Sequence, residues 1–407
     1  MGETVASFRG ATATAARPSR RIAYASIYDA SDITKWRRAG HFMARSIENA
    51  GASVEYLGPL QLTRQWMTKP KAALYNRLLN RSPYRAYYPG RDRAVVRDLG
   101  VELGRRLRNV DVEAVVSGES PFSQPVAYLD TDLPVVVWTD VTFAGVIGFY
   151  PNYSHLCRET VRHGMANEAA ALRRATLVVF SSPWAADKAV DVYGLDPAKV
   201  KVANNGPGPM LEVSEDEVRA MVRSRDLERC RLLFVGENWE RKGGETALRL
   251  AEALNTAGVS TELLILGSEP PPGTTLPPGT RLLGWIDKST EAGKAAFRDL
   301  MGSAHFLVLP TRADCTPMVV CEAAAHGVPA LTTSVGGLPW MVTEGRNGRA
   351  LPLDVDISAW RDTVLELMNP SSYSELAMSS FAEYHERLNW DTQGRKVLGW
   401  LDAAVAS

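Results

Sequence analysis

The sequence predicts an α/β protein built from two doubly wound halves, and three observations carry that prediction. The chain has 407 residues, 45% of them hydrophobic. At roughly 100–200 residues per domain that is material for two cores. Short β-branched runs ending in small or polar residues alternate with helix-patterned stretches, the order expected of a parallel sheet covered on both faces. The alternation then resets after VKVANNGPG (residues 200–208) and starts again without a detectable repeat.

Residues 1–20 are rich in Ala, Thr, Ser and Arg and lack an apolar centre, so they read as a mobile tail rather than a secretory signal, with a transit peptide as the weaker alternative. RIAYASIYD (21–29) is a buried strand, and AGHFMARSIENAGASVEYLGP (39–59) a helix, a glycine stop and a second strand. VEAVVSGES, LPVVVWTD and ATLVVFSS supply further strands of a first half placed at 21–206. The Asn, Gly and Pro cluster around Asn205 reads as a linker. CRLLFVGEN, TELLILGS, TRLLGWID, HFLVLPTRAD and PALTTSVGG follow in a second half placed at 207–387, interleaved with helices such as GETALRLAEALNTAG. Residues 384–405 read as one amphipathic helix carrying Trp390 and Trp400. Two such halves bind ligands at the carboxyl ends of their strands, in a cleft.

Charge and cysteines narrow the function. With 46 Lys plus Arg against 46 Asp plus Glu, no global surplus of cations is available for nucleic acid. Cys157, Cys230, Cys315 and Cys321 form no CxxC pair, which points to buried thiols and a cytoplasmic protein. Residues 134–151 are apolar but interrupted by Asp140 and too short to span a bilayer. The neutrality is an average, because residues 61–110 hold 12 Lys plus Arg against 3 Asp plus Glu, with Trp66, Tyr75, Tyr84, Tyr87 and Tyr88 among them. Such a segment suits an anionic membrane surface at the inner face, an anionic or lipid-linked acceptor, or a solvated face.

Two motifs carry the chemistry. In LPTRADCTPMVVCEAAAHGVPALTTSVGG (309–337) a buried strand leads to Asp314, Pro317 sits as a first helical residue, and Glu322 lies in the helix that follows. The free amides of Met318 and Val319 would then face an anion; the plainer alternative makes Asp314 a helix cap and Glu322 a solvated residue. In LLFVGENWERKGGETA (232–247) the cations Arg241 and Lys242 stand beside glycines at the mouth of a strand, a setting for a diphosphate or merely exposed charges. Neither a P-loop nor GxGxxG is present at these turns. Asp130-Thr131-Asp132 precedes a strand and so lies at the wrong end of the sheet to hold a catalytic metal. The six histidines do not cluster; His41 is placed to face the cleft and His305 is structural.

The Asp314-x7-Glu322 spacing, VGENWERKGG, SVGGLPWMV, the NNG linker and SSPWAADKAVDVYG, in that combination, resemble family-4 retaining glycosyltransferases. The resemblance implies the GT-B fold, two Rossmann-like domains facing across a cleft, with a C-terminal helix at about 388–407 crossing back to the first half. It implies a UDP-, GDP- or ADP-type sugar as donor, no cofactor and no metal. Lys242, with Arg241 as helper, would contact the donor diphosphate, Glu322 its ribose, Asp314 the transferred sugar, and the amides of Met318 and Val319 the phosphates or sugar. Leu283, Gly284 and Trp285 would line the base, and Gly40 would admit the diphosphate from the first half.

The chain departs from the family pattern at three places: Asp314 replaces the usual Glu, Glu237 stands where many members have Arg, and Thr139-Asp140 replaces a strand-end His. Asp140 then becomes the candidate for orienting or deprotonating an acceptor hydroxyl, against the reading of a strand-end cap. The acceptor, saccharide, lipid-linked or small molecule, is not legible. A GT-B phosphorylase or epimerase and a non-catalytic nucleotide-sugar subunit or sensor are the competing readings.

Overall fold

The structure, a computed structural model, describes residues 20–33, 39–61, 65–79, 86–118 and 124–406. Strands β1 (Arg21–Ala25), β2 (Ser53–Tyr56), β3 (Ala114–Ser117), β4 (Val135–Thr139), β5 (Leu177–Phe180) and β6 (Val200–Val202) form one sheet in the order β2-β1-β3-β4-β5-β6. Every pairing is parallel. Strands β3 to β5 are buried on both faces, which is why they read as unbroken Val-rich runs rather than alternating ones.

The second sheet joins β7 (Arg229–Val235), β8 (Ser260–Leu266), β9 (Thr280–Leu282), β10 (Phe306–Leu309), β11 (Ala330–Thr333) and β12 (Gly348–Leu351) in the order β12-β11-β10-β7-β8-β9. It too is entirely parallel. Strand order reverses between β7 and β10, so the loops leaving their carboxyl ends part and open a crevice. Both candidate motifs emerge there, one after each strand.

Three elements differ from the sequence reading. Val200–Val202, read into the linker, is edge strand β6, paired with β5 from Val178 to Phe180. Gly348–Leu351 is a strand the sequence did not suggest; it lacks a β-branched run and pairs only at the sheet edge. Residues 384–405 are not one helix. Helix Tyr373–Glu386 stops, and Trp390–Ala406 restarts after Asn389, whose Oδ1 accepts the Thr392 amide at 2.9 Å. All four cysteines are buried and free, and no helix among the described residues is long and apolar enough to cross a membrane.

The halves are joined through packed backbone. Helix Trp390–Ala406 lies on helix Ala39–Asn49 so closely that a Cβ on Gly394 would stand 2.1 Å from the Ser46 carbonyl. Asn49 Nδ2 donates to Asp391 Oδ1 at 2.9 Å across this contact. Asn204 and Asn205 are buried, with Asn204 Nδ2 donating to the Arg387 carbonyl at 3.0 Å and Asn205 Nδ2 to Thr316 Oγ1 at 3.1 Å.

Candidate functional site

The residues that precede the site explain its shape. After β7 the chain turns through the short helix Trp239–Lys242, capped by the Asn238 side chain on the Arg241 amide at 2.8 Å. Gly243 ends that turn at φ +82°, where a Cβ would lie 2.0 Å from the Pro310 carbonyl oxygen, so the β7 loop is pressed against the β10 loop. The Arg241 carbonyl seals the contact by accepting the Arg312 amide at 2.7 Å and Thr311 Oγ1 at 2.9 Å. Gly236 leaves room for the Lys242 stem, 2.7 Å from where a Cβ would stand.

Lys242 is thereby aimed at Asp314. Its Nζ lies 2.5 Å from Asp314 Oδ2, and both side chains are only 11% exposed. Arg241 Nη1 donates to the Ala313 carbonyl at 2.7 Å and reaches the same Asp314 oxygen at 3.3 Å. The two cations are therefore not solvated surface charges, and Asp314 is not a helix cap. Gly336 (φ +56°) and Gly337 of the SVGG motif pack beneath this turn: Cβ atoms there would stand 2.0 Å from the Asp314 carbonyl and 2.1 Å from that of Cys315.

A second pair completes the crevice. Glu322, 3% exposed on helix Met318–Ala324, accepts Lys288 Nζ at 2.6 Å and the Gly208 amide at 2.9 Å, both on Oε1. Gly208 is needed at that approach, since a Cβ would come within 2.6 Å of the carboxylate. Lys288 was missed by the sequence reading. It lies in an unpatterned loop three residues beyond Trp285, and no motif distinguishes it from a surface lysine. Its ammonium also sits 4.1 Å from the Phe297 ring centroid.

Pro317 is the cap rather than the first residue of that helix, because its ψ of 121° is extended. Met318 and Val319 are the first two residues of that helix, so their amides stand at its N-terminal end, where the helix has no carbonyl of its own to offer them. The base-lining stretch is only partly available. Gly284, at φ +67° with open space where a Cβ would be, has its carbonyl taken by the Gly267 amide at 2.7 Å, while Trp285 is 68% exposed. Gly40 is buried in the first turn of helix Ala39–Asn49, and residues 34–38 before that helix lie outside the described residues. His41 Nδ1 is 2.9 Å from the Ala30 carbonyl. His305 is buried and its Nδ1 accepts the Arg231 amide at 2.9 Å; burial pushes it down to about 4.

Asp140 crosses the cleft. Its Oδ1 accepts Ser181 Oγ at 2.5 Å and, from the second half, Thr316 Oγ1 at 2.8 Å. The next turn is capped by Thr142 instead, whose Oγ1 accepts the Gly145 amide. Burial, reinforced by the charge of Asp314, raises the Asp140 carboxyl to about 6 against the pull of its two hydroxyl donors. Because the folded value exceeds the unfolded one, this group's contribution to stability is complete below about pH 4 and is lost as pH rises through about 6. Asp140→Asn is therefore expected to gain on the wild type as pH rises from about 4.5 to 7.5, by on the order of 1–3 kcal/mol in unfolding free energy. Parallel stability profiles for the two proteins would contradict this.

Not all the charge of 61–110 is free. Lys71 Nζ bridges Glu159 at 2.6 Å and Asp92 at 3.1 Å, in the one described grouping, with His163, that brings potential metal-ligand atoms within 4.8 Å of each other. Tyr75 and Tyr87 stack at 5.1 Å and hydrogen-bond the same two carboxylates. On the outer side of helix Gln65–Leu79, however, Trp66 and Leu74 are 68% and 55% exposed. Tyr84 lies outside the described residues.

Residues 229–370 match the family model described as "Glycosyl transferases group 1". The D-inositol 3-phosphate glycosyltransferase of Acidothermus cellulolyticus is 27% identical over 251 residues, 59% of this chain and 56% of that relative. The chain thus spans about half the length of the curated relatives it matches. Among solved structures, sucrose-phosphate synthase from Thermosynechococcus elongatus superposes with a TM-score of 0.62 at 15% identity, covering 96% of this chain and all of that one. Anabaena HepE, solved with UDP and glucose, gives 0.58 at 12% identity over 95% of this chain and 100% of its own.

Proposed function

From a chain of GT-B fold whose residues 229–370 form a group 1 glycosyltransferase domain, we propose an enzyme that moves a sugar from a nucleoside-diphosphate sugar to an acceptor hydroxyl, with retention and without a metal. The observation that carries the reading is the pair of buried lysine–carboxylate contacts, Lys242–Asp314 and Lys288–Glu322, at the point where the second sheet reverses its strand order.

Lys242 and Arg241 neutralise Asp314. An incoming diphosphate competes for both cations, and the Asp314 carboxylate so released is free to accept hydroxyls of the transferred sugar. Glu322, paired with Lys288 through Oε1, offers its second oxygen to the ribose. The bond between the anomeric carbon and the phosphate oxygen breaks with its electron pair going to the diphosphate, where Lys242, Arg241 and the amides of Met318 and Val319 stabilise the growing charge. The acceptor oxygen bonds to the same face, and its proton goes to a departing phosphate oxygen. Asp140, its carboxyl raised by burial to about 6, orients that hydroxyl or takes its proton instead.

The protein would act in the cytoplasm. UDP is the first nucleotide to test, since HepE was solved with it. A thermal-shift panel of UDP, GDP, ADP and TDP reads binding, because a ligand of the folded state alone raises its stability; release of diphosphate from the matching sugar donors reads turnover. One observation favours a non-catalytic nucleotide-sugar sensor: Asp140, standing in place of a strand-end His, is already held by two hydroxyls. Binding without turnover across a broad acceptor set would support it.

Trp66 and Leu74, spaced for one helix face and flanked by Lys69 and Arg77, suit a lipid-linked acceptor at an anionic membrane. The protein is expected to pellet with anionic but not neutral liposomes, and Trp66→Ala to weaken this; equal partitioning onto both removes the membrane version.

A further inference from the structure

Resting on the donor-site reading above, we infer that Tyr150, from the first half, is a positioning residue that holds Arg241 and the Asp314–Cys315 turn in register for the donor diphosphate. Three contacts reach across the cleft from this one side chain. The Cys315 amide donates to Tyr150 Oη at 3.0 Å, and the Tyr150 hydroxyl donates in turn to Cys315 Sγ at 3.3 Å. The ring lies 5.5 Å from the Arg241 guanidinium carbon, within the range at which a ring face attracts a cation. The residue therefore touches the carboxylate-bearing turn through its hydroxyl and one of its two cations through its ring.

The support behind Tyr150 is rigid. Helix Phe143–Val146, which leads into it, begins at an amide accepted by both oxygens of the buried Glu168 at 2.8 Å. The Tyr193 hydroxyl donates to the same carboxylate. Arg91, itself buried, stands over the Phe143 ring with its guanidinium carbon 3.7 Å from the centroid. Phe149, tilted against Trp184 with ring centroids 4.8 Å apart, fills the space over Gly336, where a Cβ would come within 2.9 Å of it. Buried groups of the first half thus fix where Arg241 points in the second. Arg241 has a long, rotamer-rich side chain, and holding it before the donor arrives lowers the ordering cost of binding. If the halves part, the ring and hydroxyl leave together, so diphosphate affinity follows closure.

The test is a double-mutant cycle on affinity for the nucleoside diphosphate that stabilises the wild type, using Tyr150→Leu, Arg241→Ala and the double variant, with Tyr150→Phe as the conservative control. Tyr150→Leu is expected to weaken binding by about five-fold, and by under about two-fold when Arg241 is already Ala. Tyr150→Phe keeps the ring and should recover most of the ring's share. Additive effects in a wild type that binds overturn the role of Tyr150 and leave the donor site standing. A wild type that binds none of the four diphosphates overturns the donor site itself, and the proposal with it.

Discussion

Replacing Lys242 by Ala is expected to lower the release of nucleoside diphosphate from the sugar donor by about 10²–10³-fold, the range seen when one preorganised stabiliser of transition-state charge is removed. The magnitude follows from where the ammonium is held. It is largely buried, its stem runs over Gly236, and its charge faces Asp314 at 2.5 Å. A cation fixed in that way needs no reorganisation when charge develops on the departing diphosphate. Arg241 Nη1 also lies 3.3 Å from Asp314 Oδ2, so the variant's carboxylate is expected to keep one cation and the fold should survive. Melting temperature measured alongside activity separates the two effects. Lys242→Arg keeps the charge, but a planar guanidinium cannot repeat the approach beside Gly236, and only partial recovery is expected. Turnover by Lys242→Ala within about three-fold of wild type would sink the assigned role.

Much of this site was legible because its residues stand at fixed offsets from strand ends. Arg241 and Lys242 follow β7, and Asp314 follows β10, so a correct strand assignment already places them on neighbouring loops. Glu322 follows by helix geometry from Asp314. What the sequence could not give is partnership. Lys288 closes on Glu322 from a loop 34 positions away, and Tyr150 on Cys315 from 165 away; neither pairing leaves a local pattern. The same limit explains the missed elements. Strand β12 is held by its pairing with β11 rather than by its own residues, and the break before Trp390 comes from one Asn side chain within an otherwise continuous amphipathic pattern. The reading of Asp140 as a cap failed for a related reason, because its partner Thr316 lies in the other half.

Trp390→Ala is expected to cost about 3–5 kcal/mol of stability, the range for emptying a large aromatic from a core. Trp390 is 7% exposed and belongs to three things at once. Its ring stacks on Phe42 at 6.1 Å and meets Trp138 edge-on at 6.3 Å, inside the core of the first half. Its indole Nε1 donates to the Pro207 carbonyl at 2.7 Å, just beyond the linker asparagines. Its ring also covers Gly206 so closely that a Cβ there would lie 2.6 Å from it. Removing the side chain leaves a cavity under β1 and β4 and an unpartnered carbonyl at the start of the second half. The loss should appear as a lower urea midpoint, with Trp390→Phe recovering part of the packing but not the hydrogen bond. A second consequence separates this tryptophan from an ordinary core residue. Because the linker is pinned through it, Trp390→Ala should also weaken every contact that needs the halves in register, Asp140 with Thr316 and Tyr150 with Arg241 among them. Diphosphate affinity in Trp390→Ala, measured below its unfolding range, is therefore expected to fall toward that of Tyr150→Leu, and the two changes combined should be less than additive. Full affinity in a destabilised Trp390→Ala would mean that the linker and C-terminal helix stabilise the first half without setting the cleft.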